Sequence, residues 1–251
     1  MTRHRGWIAP LAVLMGIPVV VGASKGVDRL PPMPESEWSG EVRELLLGTQ
    51  DRVATLEGSG RREPTQILAI LRTLAYHPRL MKPFLGFATA IAQQGVLSRR
   101  ESELLALRAS WNCRSDFEWG HHVKYAQVAG LSDAEIARIA EGPEAAGWSA
   151  ADRDLLLAAD QLHLRQQIDD DVWQRLASRY EPAQLVELPF VVGQYTMLSM
   201  VANSTGVELE AGHSPLPMAE QTTAERTTAG RTTAGQAAAG RVAADREDKG
   251  R

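Results

Sequence analysis

Residues 97–130, LSRRESELLALRASWNCRSDFEWGHHVKYAQVAG, decide the fold. Ser98 followed by Glu101 is the pattern of a capping box, in which a hydroxyl and a carboxylate satisfy amides that a first helical turn leaves unpaired. A second helix is predicted from Arg114 to Ala129, since no proline interrupts the run and Gly130 stops it. On that helix Trp119, Val123 and Ala126 form one narrow apolar face. Ser115, Glu118, His122 and Tyr125, spaced by three, four and three, form a polar stripe beside it. Phe117, His121 and Lys124 fall on the far side. The adjacent histidines are therefore not equivalent: His122 is expected at the edge of the buried face, His121 at solvent or another subunit.

The chain on either side has the same character. LPPMPESEW reads as an extended lead-in, because proline disfavours helix in the residue before it. PTQILAILRTLAYH opens on Pro64, acceptable in a first turn, and repeats apolar residues at three and four. PRLMKPFLGFATAIAQQG ends at Gly95, and LSDAEIARIAEG repeats the capping box with Ser132 and Glu135 before stopping at Gly142. SAADRDLLLAADQLHLRQQ, DDDVWQRLASRY and EPAQLVELPFVVGQYTMLSMVANSTG complete the helices. Only ELPFVVGQYTML has the composition of a strand, and it does not alternate. The fold class is all-α, a compact helical bundle.

Composition narrows the chemistry. The 251 residues are 44% hydrophobic, enough for one sizeable core. The net charge of -4, with cations scattered among acids, provides no basic stripe for a phosphate backbone, so nucleic acid is not expected as a partner. A single cysteine, Cys113, forms no internal disulfide and no thiolate-rich metal site. The two ends differ from the body. Residues 1–26 have a basic start, an apolar run from Trp7 to Val21 and small residues at Gly22, Ala23 and Ser24. Two readings stay open: a secretory signal cleaved after Ala23, or an extension preceding a start near Val27. The enzyme-like body favours the cytoplasm, and the run is too short and interrupted to span a membrane comfortably. The helical domain is expected over 27–212. Residues 213–251, with pentapeptides from Thr222 to Arg246, are expected to form a disordered low-complexity tail.

Glu118 and His122, one turn apart beside an apolar face, admit three readings. The acid can fix the imidazole tautomer and make the pair a proton-transfer unit near neutral pH. The pair can be half of a metal site, although no second histidine sits at matching spacing. Or it can be a satisfied structural pair in a helical core.

The stretch FEWGHHVKYAQVAG, with the helix before it, resembles the carboxymuconolactone decarboxylase family, and the similarity extends over roughly Leu30 to Glu210. The resemblance implies an alkylhydroperoxidase D-like all-α fold, homo-oligomers (trimers or hexamers) and active sites between helices near subunit interfaces. One branch of that family uses Cys-x-x-Cys-x-x-x-His for peroxide chemistry; aligned on His122, its thiol positions hold Ser115 and Glu118 here. Peroxiredoxin-like activity is therefore disfavoured, because dithiol exchange needs a resolving partner. The other branch resembles a lyase of aromatic-acid catabolism that releases carbon dioxide from a carboxylated lactone with no metal and no cofactor. It implies His122 as acid/base residue, Glu118 tuning it and Glu103 as a second relay member. Arg108 is the candidate carboxylate anchor, because a guanidinium offers a bidentate fork. Ser115 and Tyr125 are candidate hydrogen-bond donors to a small-molecule substrate, and Trp119 a candidate pocket wall. Each of these residues could equally serve packing. Gln194 stands where related sequences often carry histidine, which leaves open isomerisation, dehydration or cyclisation on the same scaffold, or a non-catalytic binding scaffold.

Overall fold

The computed structural model describes residues 29–49 and 68–217. Helices there are α1 (Gly40–Leu47), α2 (Ala69–Leu74), α3 (Pro78–Gln94), α4 (Arg99–Asn112), α5 (Asp116–Val128), α6 (Asp133–Glu141), α7 (Ala150–Arg165), α8 (Asp170–Ala177) and α9 (Pro182–Thr205). No strand occurs among the described residues. Both predicted capping boxes form, Ser98 with Glu101 at α4 and Ser132 with Glu135 at α6. The strand-like stretch lies inside α9, where burial of Leu185, Leu188, Val191, Val192 and Tyr195 overrides β propensity. The signal-like segment, Pro64 and the pentapeptide run fall outside the described residues.

Helix α4 forms the axis, packing against α5, α7 and α9. Every residue from Ser102 to Ser110 is buried. One core gathers Leu104, Leu105, Leu107, Trp119, Ala126, Leu155, Leu156, Leu188 and Val191. A second gathers Val42, Leu46, Leu71, Met81, Leu85 and Phe117 from α1, α2, α3 and α5. Burying each such side chain contributes about 1.5–3 kcal/mol before entropy is counted. Because α5 separates the two cores, it is buried on both sides: Trp119 and Ala126 join one core and Phe117 the other, so burial extends beyond the narrow apolar face read from its sequence.

Two ion-pair networks fasten the perimeter. Arg100 spans Glu135 at 2.6 Å and Asp152 at 2.5 Å, tying α4 to α6 and α7. Asp154 of α7 accepts from Arg175 at 2.7 Å and Arg179 at 2.5 Å, holding α8 and the turn after it. Helix α9 alone among the described helices is long and apolar enough to cross a membrane; it packs against α3, α4, α5, α7 and α8 and is a core helix of the bundle.

Two boundaries differ from expectation. Helix α5 starts at Asp116, not Arg114, because Arg114 has φ 54 in the left-handed region and turns the chain between α4 and α5. At the other end the packed chain continues past 212, through Pro217. Residues 207–217 return along α5, where the Leu216 amide donates to Asp116 Oδ1 at 3.0 Å. Gly120 permits this approach, since a Cβ there would lie 2.6 Å from Leu209 Cδ2 and 3.1 Å from the Ser214 carbonyl oxygen.

Candidate active site

Helices α4, α5 and α9 converge on His122. Its Nδ1 lies 2.6 Å from Glu103 Oε2. A carboxylate only accepts, so Nδ1 carries the hydrogen, and in the neutral imidazole the lone pair is on Nε2. The side chains are 5% and 1% exposed, so the pair is shielded from competing water. Glu103 is in turn held by Arg99, one helical turn before it. On the opposite side His122 Nε2 is 3.7 Å from Glu118 Oε2, a neighbour beyond hydrogen-bond reach. Burial pushes the Glu118 carboxyl above the ordinary carboxylate range, and the nearby His122 and His121 only partly oppose that. The Tyr195 ring meets His122 edge-on at 4.2 Å and the Tyr125 ring at 5.1 Å. Burial, then the charge of Glu103, pushes the Tyr195 phenol up, which keeps it a hydrogen-bond donor.

These groups border a cavity of about 110 Å³, close to the roughly 150 Å³ that takes a benzene ring in an engineered core. Leu71, Phe84, Leu85, Ala88, Phe117 and Leu198 supply apolar wall; Glu118, His121, His122, Tyr125, Gln194 and Tyr195 supply polar atoms. No lysine or arginine appears among the described lining residues. Gln194 Oε1 is buried and meets no hydrogen-bond partner among the described residues. A buried amide oxygen in that state costs about 1–3 kcal/mol unless something donates to it.

The expected site residues therefore divide. Glu103, Glu118, His122 and Tyr125 come together. Ser115 instead caps α5, its hydroxyl accepting from the Glu118 amide at 3.4 Å. Trp119 packs into the core against Trp111, with ring centroids 5.8 Å apart. The Arg108 guanidinium is consumed by Asp160, at 2.6 and 2.8 Å, and by the Ile139 carbonyl, at 2.6 Å, so it points away from the cavity. Glu103, rather than Glu118, makes the orienting bond to His122. Cys113 lies apart from the cavity lining, and burial pushes its thiol up, away from the reactive thiolate.

His121 departs most from expectation. It is 3% exposed and donates Nε2–H to Glu210 Oε2 at 2.7 Å. Its ring lies 4.2 Å from that of His213. Burial disfavours the charged form of Glu210, but the bonds from His121 and the Ala69 amide outweigh it and hold the carboxylate below its ordinary range. Both partners lie about ninety residues along the chain, and helical spacing within one segment carries no signal for them.

The fold is of the alkylhydroperoxidase D-like all-α type. Residues 78–161 match the model of the carboxymuconolactone decarboxylase family. Among solved structures, a peroxidase-related protein from Ralstonia eutropha with an alkylhydroperoxidase AhpD core aligns with TM-score 0.61 and 15% identity, covering 73% of this chain and 92% of its own. A peroxidase-related protein from a Silicibacter species aligns with TM-score 0.60 and 14% identity, over 76% of this chain and 96% of its own. A cysteine-to-alanine variant of the debrominase Bmp8, in complex with 2,3,4-tribromopyrrole, aligns with TM-score 0.59 and 15% identity, over 72% of this chain and 91% of its own. At these identities the likeness concerns the fold. No curated protein matches the chain in sequence.

Proposed function

We propose that this protein is an acid/base enzyme of the carboxymuconolactone decarboxylase family, whose proton relay is built from its own side chains and acts on a small, largely apolar, enolisable molecule. The observation that carries this reading is the buried Glu103–His122 hydrogen bond of 2.6 Å at the wall of an apolar cavity. With Nδ1–H given to Glu103, His122 Nε2 is the base that removes a proton from carbon next to a carbonyl. The imidazolium that forms is stabilised by Glu103. The Tyr195 hydroxyl, and Glu118 in its protonated form, are the donors to the developing enolate oxygen. Return of the proton from His122 to the same or a neighbouring carbon gives exchange or isomerisation. In a lactone that enters as the free carboxylic acid, His122 Nε2 takes the carboxyl proton, loss of carbon dioxide leaves an enolate, and the imidazolium returns that proton to carbon.

Gln194 in place of a second ionisable group and a wall without lysine or arginine support isomerisation or exchange at a neutral enolisable centre over decarboxylation. The test is incubation with lactones and keto acids in D2O, following carbon dioxide and deuterium incorporation by NMR. His122→Ala abolishes turnover with the helical fold retained, and Cys113→Ser leaves it unchanged. Loss of activity on Cys113→Ser would instead support the peroxidase-like alternative. No turnover of any enolisable compound would support a non-catalytic scaffold. The exposed Val186, Phe190, Met197 and Met200 on α9 support self-association, which light scattering on the purified protein tests.

A further inference from the structure

Behind the cavity wall lies a second cluster that the proton relay does not use. His121 of α5 meets Glu210 and His213, both from the segment that follows α9, and ligand atoms of all three lie within 4.8 Å of one another. Glu210 and His213 are each oriented by a further contact. Glu210 directs Oε2 at His121 Nε2, 2.7 Å away, while its Oε1 accepts from the Ala69 amide at 2.7 Å. His213 Nδ1 lies 3.2 Å from the Glu210 carbonyl oxygen. A carbonyl only accepts, so that contact puts the proton on Nδ1 and leaves a lone pair on Nε2. His213 Nε2 is nevertheless buried and meets no hydrogen-bond partner among the described residues. A backbone carbonyl fixing one ring nitrogen while the other stays open is the arrangement found behind metal-bound histidine.

We propose that His121, Glu210 and His213 form a binding site for a divalent transition metal of the zinc class. Two imidazoles and one carboxylate are the donor set that such ions accept, with a further position left for water. Ligands at 2.0–2.1 Å in a tetrahedron stand about 3.3 Å apart. The separation of 2.7 Å between His121 and Glu210 therefore widens by roughly half an ångström on binding. His121 gives up its Nε2 proton at the same time. The ion fastens residues 207–217 to α5, and His121, which also lines the cavity, connects it to the candidate active site.

The test is titration of the chelator-treated full chain with Co2+, read by visible absorption and by thermal unfolding. Wild-type protein is expected to take up one equivalent and to unfold at a higher temperature when loaded. His213→Ala and Glu210→Gln are each expected to weaken binding at least tenfold, while His163→Ala, remote from the cluster, leaves it unchanged. X-ray absorption of the Zn2+-loaded wild type, which needs no variant to fold, is expected to show two imidazoles and oxygen ligands at about 2.0–2.1 Å. Absence of uptake by the wild type, uptake indifferent to His213→Ala, or a zinc environment without imidazole overturns the assignment and leaves the cluster as an ion pair that latches the segment.

Discussion

Replacing Glu103 with glutamine isolates the charge of the relay from its shape. The amide can still accept from His122 Nδ1 through Oε1, so the resting geometry survives. What is lost is the anion facing the imidazolium that forms when Nε2 takes a proton. Two unit charges about 4 Å apart attract by about 4 kcal/mol at the effective dielectric of a protein site. Arg99, bound to the same carboxylate, already offsets part of that field, which leaves about 3 kcal/mol. At about 1.4 kcal/mol per decade this is a slowing of roughly a hundredfold. Stability should suffer less, by about 1–2 kcal/mol, because the Arg99 side chain is 29% exposed and can turn to water. Deuterium incorporation into an enolisable lactone, followed by proton NMR in D2O alongside thermal unfolding, reads both quantities. An exchange rate within a factor of three of wild type, in a folded Glu103→Gln protein, would refute the assignment of His122 as the base.

Three further outcomes follow from contacts described above. Arg108→Ala leaves the Ile139 carbonyl without its partner and Asp160 with Asn112 as its remaining donor, so it should cost about 1–3 kcal/mol in denaturant unfolding; a raised KM with unchanged stability would instead return Arg108 to the substrate. Hydrogen bonds from Ser132 and then Arg100 hold the Glu135 carboxyl down to about 2. Its folded value lies below its unfolded one, so its contribution is complete above the unfolded value and is lost as pH falls from about 4.3 towards 2. Far-UV circular dichroism across that window should show Arg100→Ala flattening the acid transition. Gly120→Ala forces a Cβ to within 2.6 Å of Leu209, and overpacking of that kind costs about 1–3 kcal/mol; proteolysis near residues 209–217 should accelerate, and an unchanged cleavage pattern would show that the segment does not depend on the missing side chain.

The all-α class, the succession of helices from α3 onward and the two capping boxes were legible because each depends on local chemistry: Ser98 and Ser132 need only the glutamate three residues on. The pairing of Glu103 with His122 was legible only through family likeness, since the residues stand on different helices. His121 was misjudged for a physical reason. A helical wheel assumes one wet face, whereas α5 runs between two cores and keeps Phe117, Glu118, Trp119, Gly120, His121 and His122 all buried. Ser115 was misjudged through the start of α5: the left-handed Arg114 shifts it from the stripe to the cap. Arg108 has the right chemistry for a carboxylate, and the carboxylate it binds is Asp160, a residue of this chain.

Glu187 of α9 accepts from the amides of Val96 and Leu97, at 2.5 and 3.3 Å, just ahead of α4. Two turns further on, the same helix presents Gln194 and Tyr195 to the cavity. One rod thus fixes both the start of the helix that carries Glu103 and the wall that faces His122. The alignment of the polar groups is set by this strut rather than by the connecting loops. Insertions between α6 and α7 or between α7 and α8 can therefore accumulate without detuning the site, whereas a single-residue insertion between Glu187 and Gln194 would rotate one anchor by a little over a quarter turn against the other.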